Sequence, residues 1–441
     1  MFLKIAAITL LLFTSVFFVS CEANQNRTAN QPLQPAVNTN TSAANIAPGN
    51  TANNAARNTG MPVTMPLIDA MFADETFLQE ARSAVQLTDE ELNKLRDTAR
   101  NGVLELNGDD ADDANRSTKS SVEKTRSEIE KILGPQRGQQ FLDFVRNRWQ
   151  GNGEELATSK PNSIPTDTRI VINSPAYRMD IFKDGQLVKS YKIGIGYPEF
   201  PLPTGLRKAS EIVFNPTWTP PDEPWVKGKV QPGKKVEAGS KLNPLGPIKI
   251  PIGLPSLIHG GKDPSRLGTF ASHGCVGLTS PTVQEFAMQL ASLAGTQLTQ
   301  EDIKGYEKQK TETKSVKLAQ PVPVELRYET IVVEDGNLHI YRDVYERGTN
   351  TEENLRRVLE SYGVDFGALS EADRTKIMEA LDKMAVDAQG KEVDPEANAN
   401  SNSKNNSGKV TRNIKGQKEI VIELAALQGK GYPTPVDLAT K

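Results

Sequence analysis

Cysteine is almost absent from this 441-residue chain, which holds only Cys21 and Cys275. A disulfide framework is therefore excluded, and at most one bridge could form. Histidine is nearly as scarce, at three residues. No charge of one sign prevails: Lys+Arg number 52 and Asp+Glu 55. Bulk charge thus points to no nucleic-acid partner. Long apolar runs are missing beyond the first twenty residues. With 37% hydrophobic residues and a mean hydropathy of −0.47, the chain reads as a soluble protein with disordered stretches, not an integral membrane protein. Its length leaves room for two or three domains and at least one large core.

The one apolar run opens the chain. Lys4 precedes an unbroken stretch from Ile5 to Val19, and Ser20-Cys21 closes it. A positive charge, a short apolar run and a small residue before the break describe a secretory signal peptide over 1–20. Cys21 at the break resembles the lipid-accepting cysteine of bacterial lipoproteins, although Phe18 stands where leucine is usual. The alternative is an uncleaved signal anchor with Cys21 incidental, for which the run is short. Either way the chain is expected to be exported and, on the first reading, membrane-anchored, facing the periplasm or cell wall. If Cys21 carries lipid, Cys275 is left as a lone thiol in an oxidising compartment, which marks it as reactive. If it does not, a Cys21–Cys275 disulfide is the competing reading.

Composition divides the remainder, and the fold class expected is α+β with several domains. Residues 21–64 are rich in Asn, Ala and Thr, and cannot bury enough surface to offset their ordering entropy, so they read as a disordered tether. Over 65–155 the period becomes helical. Thr88 and Glu91 form a capping box ahead of Leu92, Leu95 and Ala99. Val122, Ile129, Ile132 and Leu133 make a second helix that Gly134-Pro135 stops, and Phe141, Phe144, Val145 and Trp149 make a third. The acidic run Asp109–Asp113 lacks the spacing of a calcium loop and reads as solvated.

Strand patterns dominate 165–300. Arg169–Asn173 alternates, and Tyr177, Met179 and Ile181 share one face. An Asp184-Gly185 turn of type I′ then leads to a returning strand over Leu187–Ile195. Pro- and Gly-rich loops run from Pro198 to Pro255, interrupted by a short strand at Ile212–Phe214. Val283–Leu293 is an amphipathic helix. Residues 301–345 hold a second hairpin, Arg327–Val333 with Leu338–Tyr341, turning at Asp335-Gly336. A helical pair follows over 350–388, then a second linker over 389–415 and a C-terminal segment, 416–441. Glu419–Leu424 there has strand character with no evident partner.

Two of the three histidines lie shortly before the second cysteine: His259-Gly260, then Ser272-His273-Gly274-Cys275-Val276. A thiol with an ordinary pKa of about 8.5 needs a base to attack near neutral pH. The oxyanion that attack creates needs hydrogen-bond donors. A glycine beside the nucleophile lets successive N–H groups converge. The residues thus supply a nucleophile, two candidate bases and a turn.

The same stretch closely resembles the active-site signature of the YkuD-type L,D-transpeptidases. Supporting context comes from the Ile170–Ile195 hairpin, Pro203-Thr204-Gly205, Asn215-Pro216-Thr217-Trp218 and Asn243-Pro244-Leu245-Gly246. The resemblance implies a β-rich catalytic domain in which Cys275 attacks the third-residue carbonyl of a peptidoglycan stem tetrapeptide and releases D-alanine. It implies His259 as base, oriented by the Gly260 carbonyl, and His273 as support. Backbone N–H groups of His273, Gly274 and Cys275 would form the oxyanion hole, and a second stem's amine would resolve the thioester. Ser272 and Trp218 are candidate substrate contacts. No cofactor or metal is implied, and the partners are peptidoglycan stems, the membrane through a lipid on Cys21, and a protein that the helical module could dock. The family usually carries arginine where this chain has Gly277, a loss that Arg266 or Lys262 could replace.

Other readings remain at this level. Cys275 and His259 could be a buried thiol and a core histidine. His259, His273 and Cys275 could bind zinc, although the spacing is awkward and a fourth ligand is missing. Trp218 could simply pack, and His339 is a surface or packing residue. Lys227, Lys229, Lys234 and Lys235 could be a lid or merely solvated. Water in place of the amine would make the enzyme a hydrolase, and a decayed site would leave a wall-binding lipoprotein.

Overall fold

A computed structural model describes residues 61–106, 118–150, 160–220, 226, 230–231, 233–253, 256–388, 390 and 413–438. The signal peptide, Cys21, most of the tether, the Asp109–Asp113 run, Lys227, Lys229 and most of the second linker lie outside them. Among the described residues no helix is long and apolar enough to cross a membrane.

Four helices come first: α1 (Met65–Met71), α2 (Glu75–Val85), α3 (Asp89–Leu104) and α4 (Thr118–Gln150). The Thr88–Glu91 capping box forms as the spacing requires. The Glu91 carboxylate also takes the Arg137 guanidinium, which together with the cap holds it down to about 2. Gly134 leaves the helical region (φ 77°), so α4 is two helices abutting at the expected stop. Phe77, Leu95, Ile129, Phe141 and Val145 are fully buried in the shared core. One boundary differs from expectation. Met61, Val63 and Thr64 are buried, so 61–64 belongs to the module and not to the tether.

Strands drawn from residues 169–327 form an eight-stranded mixed sheet. Its strands are β1 (Arg169–Asn173), β2 (Arg178–Lys183), β3 (Gln186–Lys192), β5 (Gly205–Phe214), β6 (Ile248–Pro251), β7 (Leu257–His259), β9 (Val276–Gly277) and β10 (Lys314–Arg327), in the order β3-β2-β1-β10-β5-β6-β7-β9. Two short strands, β4 (Ile195–Gly196) and β8 (Phe270–Ser272), pair separately and in parallel. Asp184 and Gly185 both have positive φ, as a type I′ turn needs. The helix α5 (Ser280–Leu293), capped by Thr279, buries Val283, Phe286 and Leu290, and α6 (Gln300–Lys308) follows it.

Three sequence expectations are corrected here. The strand expected only at Ile212–Phe214 begins at Gly205; Arg207, Lys208 and Glu211 along it hide the alternation. The return strand breaks after Lys192, because Gly194 exchanges both backbone hydrogen bonds with Gly277 at 2.9 Å. Arg327 does not open the second hairpin. It ends β10, a central strand held between β1 and β5.

That hairpin is β11 (Ile331–Glu334) and β12 (Asn337–Tyr341), with Asp335 and Gly336 again at positive φ. β13 (Glu419–Glu423) pairs antiparallel with β12, which answers where the last strand goes. The helices α7 (Glu352–Ser361) and α8 (Glu371–Met384) bury Leu355, Leu359, Ile377 and Leu381 on this small sheet. Hairpin, helical pair and C-terminal strand are therefore one packed module, not three segments. His339 lies within it, its Nδ1 2.6 Å from a Glu419 carboxylate oxygen.

Candidate active site

β7 and β9 run in parallel, with Ile258 opposite Val276 and His259 opposite Gly277. One residue back, Cys275 falls beside Leu257. Side chains alternate along each strand, so Cys275, Gly277 and His259 share a face. Pairing of two short strands thus brings together residues sixteen positions apart in the chain.

The His259 side is set by close backbone packing. A Cβ on Gly260 would come within 2.6 Å of Val283 Cγ1, so α5 excludes any larger residue there. A Cβ on Gly246 would lie 2.4 Å from the Gly261 nitrogen. The Asn243-Pro244-Leu245-Gly246 segment therefore rests directly on the turn after His259. Asn243 braces that segment by donating from Nδ2 to the Pro216 carbonyl at 2.7 Å. His259 is only 3% exposed, and its Nδ1 sits 2.8 Å from the Gly260 carbonyl oxygen. A carbonyl only accepts, so Nδ1 carries the proton and Nε2 keeps its lone pair. Burial, and then the Lys262 charge, push the imidazole down to about 3, against the pull of the Gly260 and Leu245 carbonyls. His259 is thereby held neutral, with its Nε2 lone pair available to a proton.

The Cys275 side is set by side-chain hydrogen bonds. Ser272 Oγ accepts from the Cys275 N–H at 2.9 Å and donates to the Cys275 carbonyl. Ser256, buried at the approach to β7, donates to the Gly274 carbonyl at 2.8 Å. Gly274 itself has φ 90°, a conformation that favours glycine. The His273 ring stands edge-on to Tyr197 and Phe200, with both centroids 4.9 Å away. Cys275 is a half-buried free thiol. Burial pushes it up, while the Leu257 backbone N–H and the Lys262 charge pull it down.

Several of the expected site residues have definite partners in the fold. The Ser272 hydroxyl bonds both the N–H and the carbonyl of Cys275, so it shapes the turn. That N–H is one of three expected oxyanion donors. Trp218 bridges Val236 through its backbone, and makes no hydrogen bond or ring contact to Cys275, His259 or His273 among the described residues. Arg266 donates to the Phe270 carbonyl. Sequence reasoning missed Ser256; nothing in the primary structure marks it. Among the described residues no group of three or more His, Cys, Asp or Glu side chains could hold a metal ion.

Residues 167–316 match the family model of YkuD, the L,D-transpeptidase catalytic domain, and this segment is a YkuD-type domain. No curated protein matches the chain. Among solved structures it is similar to the catalytic domain of an Enterococcus faecium L,D-transpeptidase, at 17% identity and TM-score 0.25, over 37% of this chain and 100% of that one. An L,D-transpeptidase from Mycobacterium smegmatis matches at 15% identity and TM-score 0.24, over 36% of this chain and 58% of its own. One from Mycobacterium tuberculosis matches at 14% and 0.20, over 36% and 57%. The chain thus spans little more than half of the two mycobacterial proteins.

Proposed function

We propose that this protein is a peptidoglycan L,D-transpeptidase with Cys275 as nucleophile and His259 as base. The observation that carries the reading is the β7–β9 register, which sets a neutral histidine and a lone thiol on one face inside a YkuD-type domain. The Cys275 thiol attacks the third-residue carbonyl of a stem tetrapeptide, and its proton passes to His259 Nε2. Backbone N–H groups of the His273-Gly274 turn stabilise the oxyanion. The tetrahedral adduct collapses to a thioester, and D-alanine leaves with the proton returned by His259. A side-chain amine of a second stem then attacks the thioester, which frees the thiol and leaves a 3→3 cross-link. On this reading the chain works outside the cytoplasm, held by a lipid on Cys21.

Incubation of the purified chain with disaccharide-tetrapeptide muropeptides tests the proposal. Dimers with 3→3 links, absent with Cys275→Ala, are the expected products. Tripeptide monomers alone would replace transfer with hydrolysis, and no product at all would end the enzymatic reading.

A further inference from the structure

Gly277 lies two residues beyond the nucleophile and directly opposite His259, yet its backbone does not require glycine. Its φ is not among the positive values that mark Gly274 and seventeen other glycines. What excludes a side chain is space. A Cβ on Gly277 would stand 2.8 Å from Lys262 Cγ and 3.0 Å from Lys262 Cε. By strand alternation, that Cβ would point to the face holding Cys275 and His259. The lysine stem therefore runs across the active face itself.

The backbone fixes this placement. Leu278 N–H donates to the His259 carbonyl at 2.8 Å, and Lys262 N–H to the Leu278 carbonyl at 3.0 Å. The chain after β7 is thus folded tightly round the end of β9, with Lys262 returning over it. Among the described residues no carboxylate pairs with Lys262, and the neighbouring Asp263 turns to the Ser265 hydroxyl and N–H. The charged or titratable groups around the ammonium are Cys275, His259 and Arg266, and Arg266 is engaged with the Phe270 carbonyl.

We propose that Lys262 is the charge partner of the Cys275 thiolate, and that residue 277 is glycine so that the lysine stem can cross β9 to reach that position. Burial, against the upward pull of the Cys275 charge and with a smaller push from Arg266, brings Lys262 down to about 8. The same cation opposes a proton on His259. One lysine therefore favours the thiolate and keeps the base neutral, both of which thiol attack requires.

The proposal rests on the reading of Cys275 as nucleophile, but its test needs no wall substrate. The pH dependence of Cys275 alkylation by iodoacetamide would be followed in the full chain by mass mapping of the Cys275 peptide. Lys262→Met should raise the midpoint by roughly one pH unit, while Lys262→Arg should stay near wild type. Gly277→Ala should raise it too, by displacing the stem, and should add no shift in a Lys262→Ala background. A Lys262→Met profile superimposed on wild type would overturn the proposal. So would a Gly277→Ala shift of equal size in the Lys262→Ala background. If the shifts appear but the wild type forms no product from muropeptides, the transpeptidase reading falls and the Lys262–Cys275 pairing stands.

Discussion

The two turns that build the site are held by different means. After β7, the His259 turn is locked by glycines pressed against neighbours: Gly260 on Val283, and Gly246 on Gly261. Before β9, the Cys275 turn has room, since a Cβ on Gly274 would meet nothing nearer than the Phe200 carbonyl oxygen at 4.0 Å. Ser272 and Ser256 hold it instead, through hydrogen bonds to backbone. His259, the proposed base, thus sits on a closely packed turn. Cys275, the proposed nucleophile, sits on one fixed by polar contacts that single substitutions can remove. A turn held by steric exclusion should fail by unfolding locally, and a turn held by hydroxyls should fail by misplacing the thiol.

Substitutions can break this contrast. The largest effect is expected at His259. His259→Ala should slow acylation of Cys275 by roughly 10²–10⁴-fold with the fold retained, measured by stopped-flow against a carbapenem; an unchanged rate would move the role to His273. Ser272→Ala should cost roughly ten- to a hundredfold in the same assay through misplacement, with a stability loss of only about 1 kcal/mol for its buried hydrogen bonding. Gly260→Ala should show the opposite pattern, losing about 1–3 kcal/mol of stability by overpacking in a denaturant titration. Ser256→Ala should be mildest, at about 1 kcal/mol for one buried hydrogen bond. If Ser272→Ala unfolds the domain, or Gly260→Ala leaves stability unchanged, the distinction between the turns is wrong.

Acid sharpens the same comparison. An unfolded chain takes a proton on His259 near 6.5, whereas the folded protein resists it down to about 3. Between those values the unfolded state binds more protons, so stability should fall as pH drops through that window. His259→Gln should flatten this part of the pH–stability curve, measured by thermal melts. A variant with the wild-type slope would place the acid sensitivity elsewhere.

Much of the site was legible because its chemistry depends on residue types at short range. Ser272 to Cys275 spans three residues, the reach of a hydroxyl over a turn. That spacing is enough to place the Ser272 hydroxyl at the turn. Asp184-Gly185 and Asp335-Gly336 announced their hairpins because each needs two positive φ values in succession. What local pattern did not reveal depends on long-range pairing. β10 lies between β1 and β5 although about 140 residues separate it from β1, and β13 finds β12 across two helices and a linker. The relation of Lys262 to Gly277 is also tertiary, because only the fold round Leu278 lays one on the other. The helical module was legible as helices but not in its docking. Thr64 and Thr118 donate to the carbonyls of Glu199 and Pro198 at 2.9 and 2.8 Å, beside the Phe200 that backs His273.

The central claim is that Cys275 becomes covalently acylated with help from His259. Intact-mass analysis of the purified chain after brief exposure to a carbapenem tests it most directly. One adduct is expected, mapping to the Cys275 peptide, absent in Cys275→Ala and formed far more slowly in His259→Ala. No adduct on the folded wild-type chain, or an adduct that survives Cys275→Ala, would contradict it.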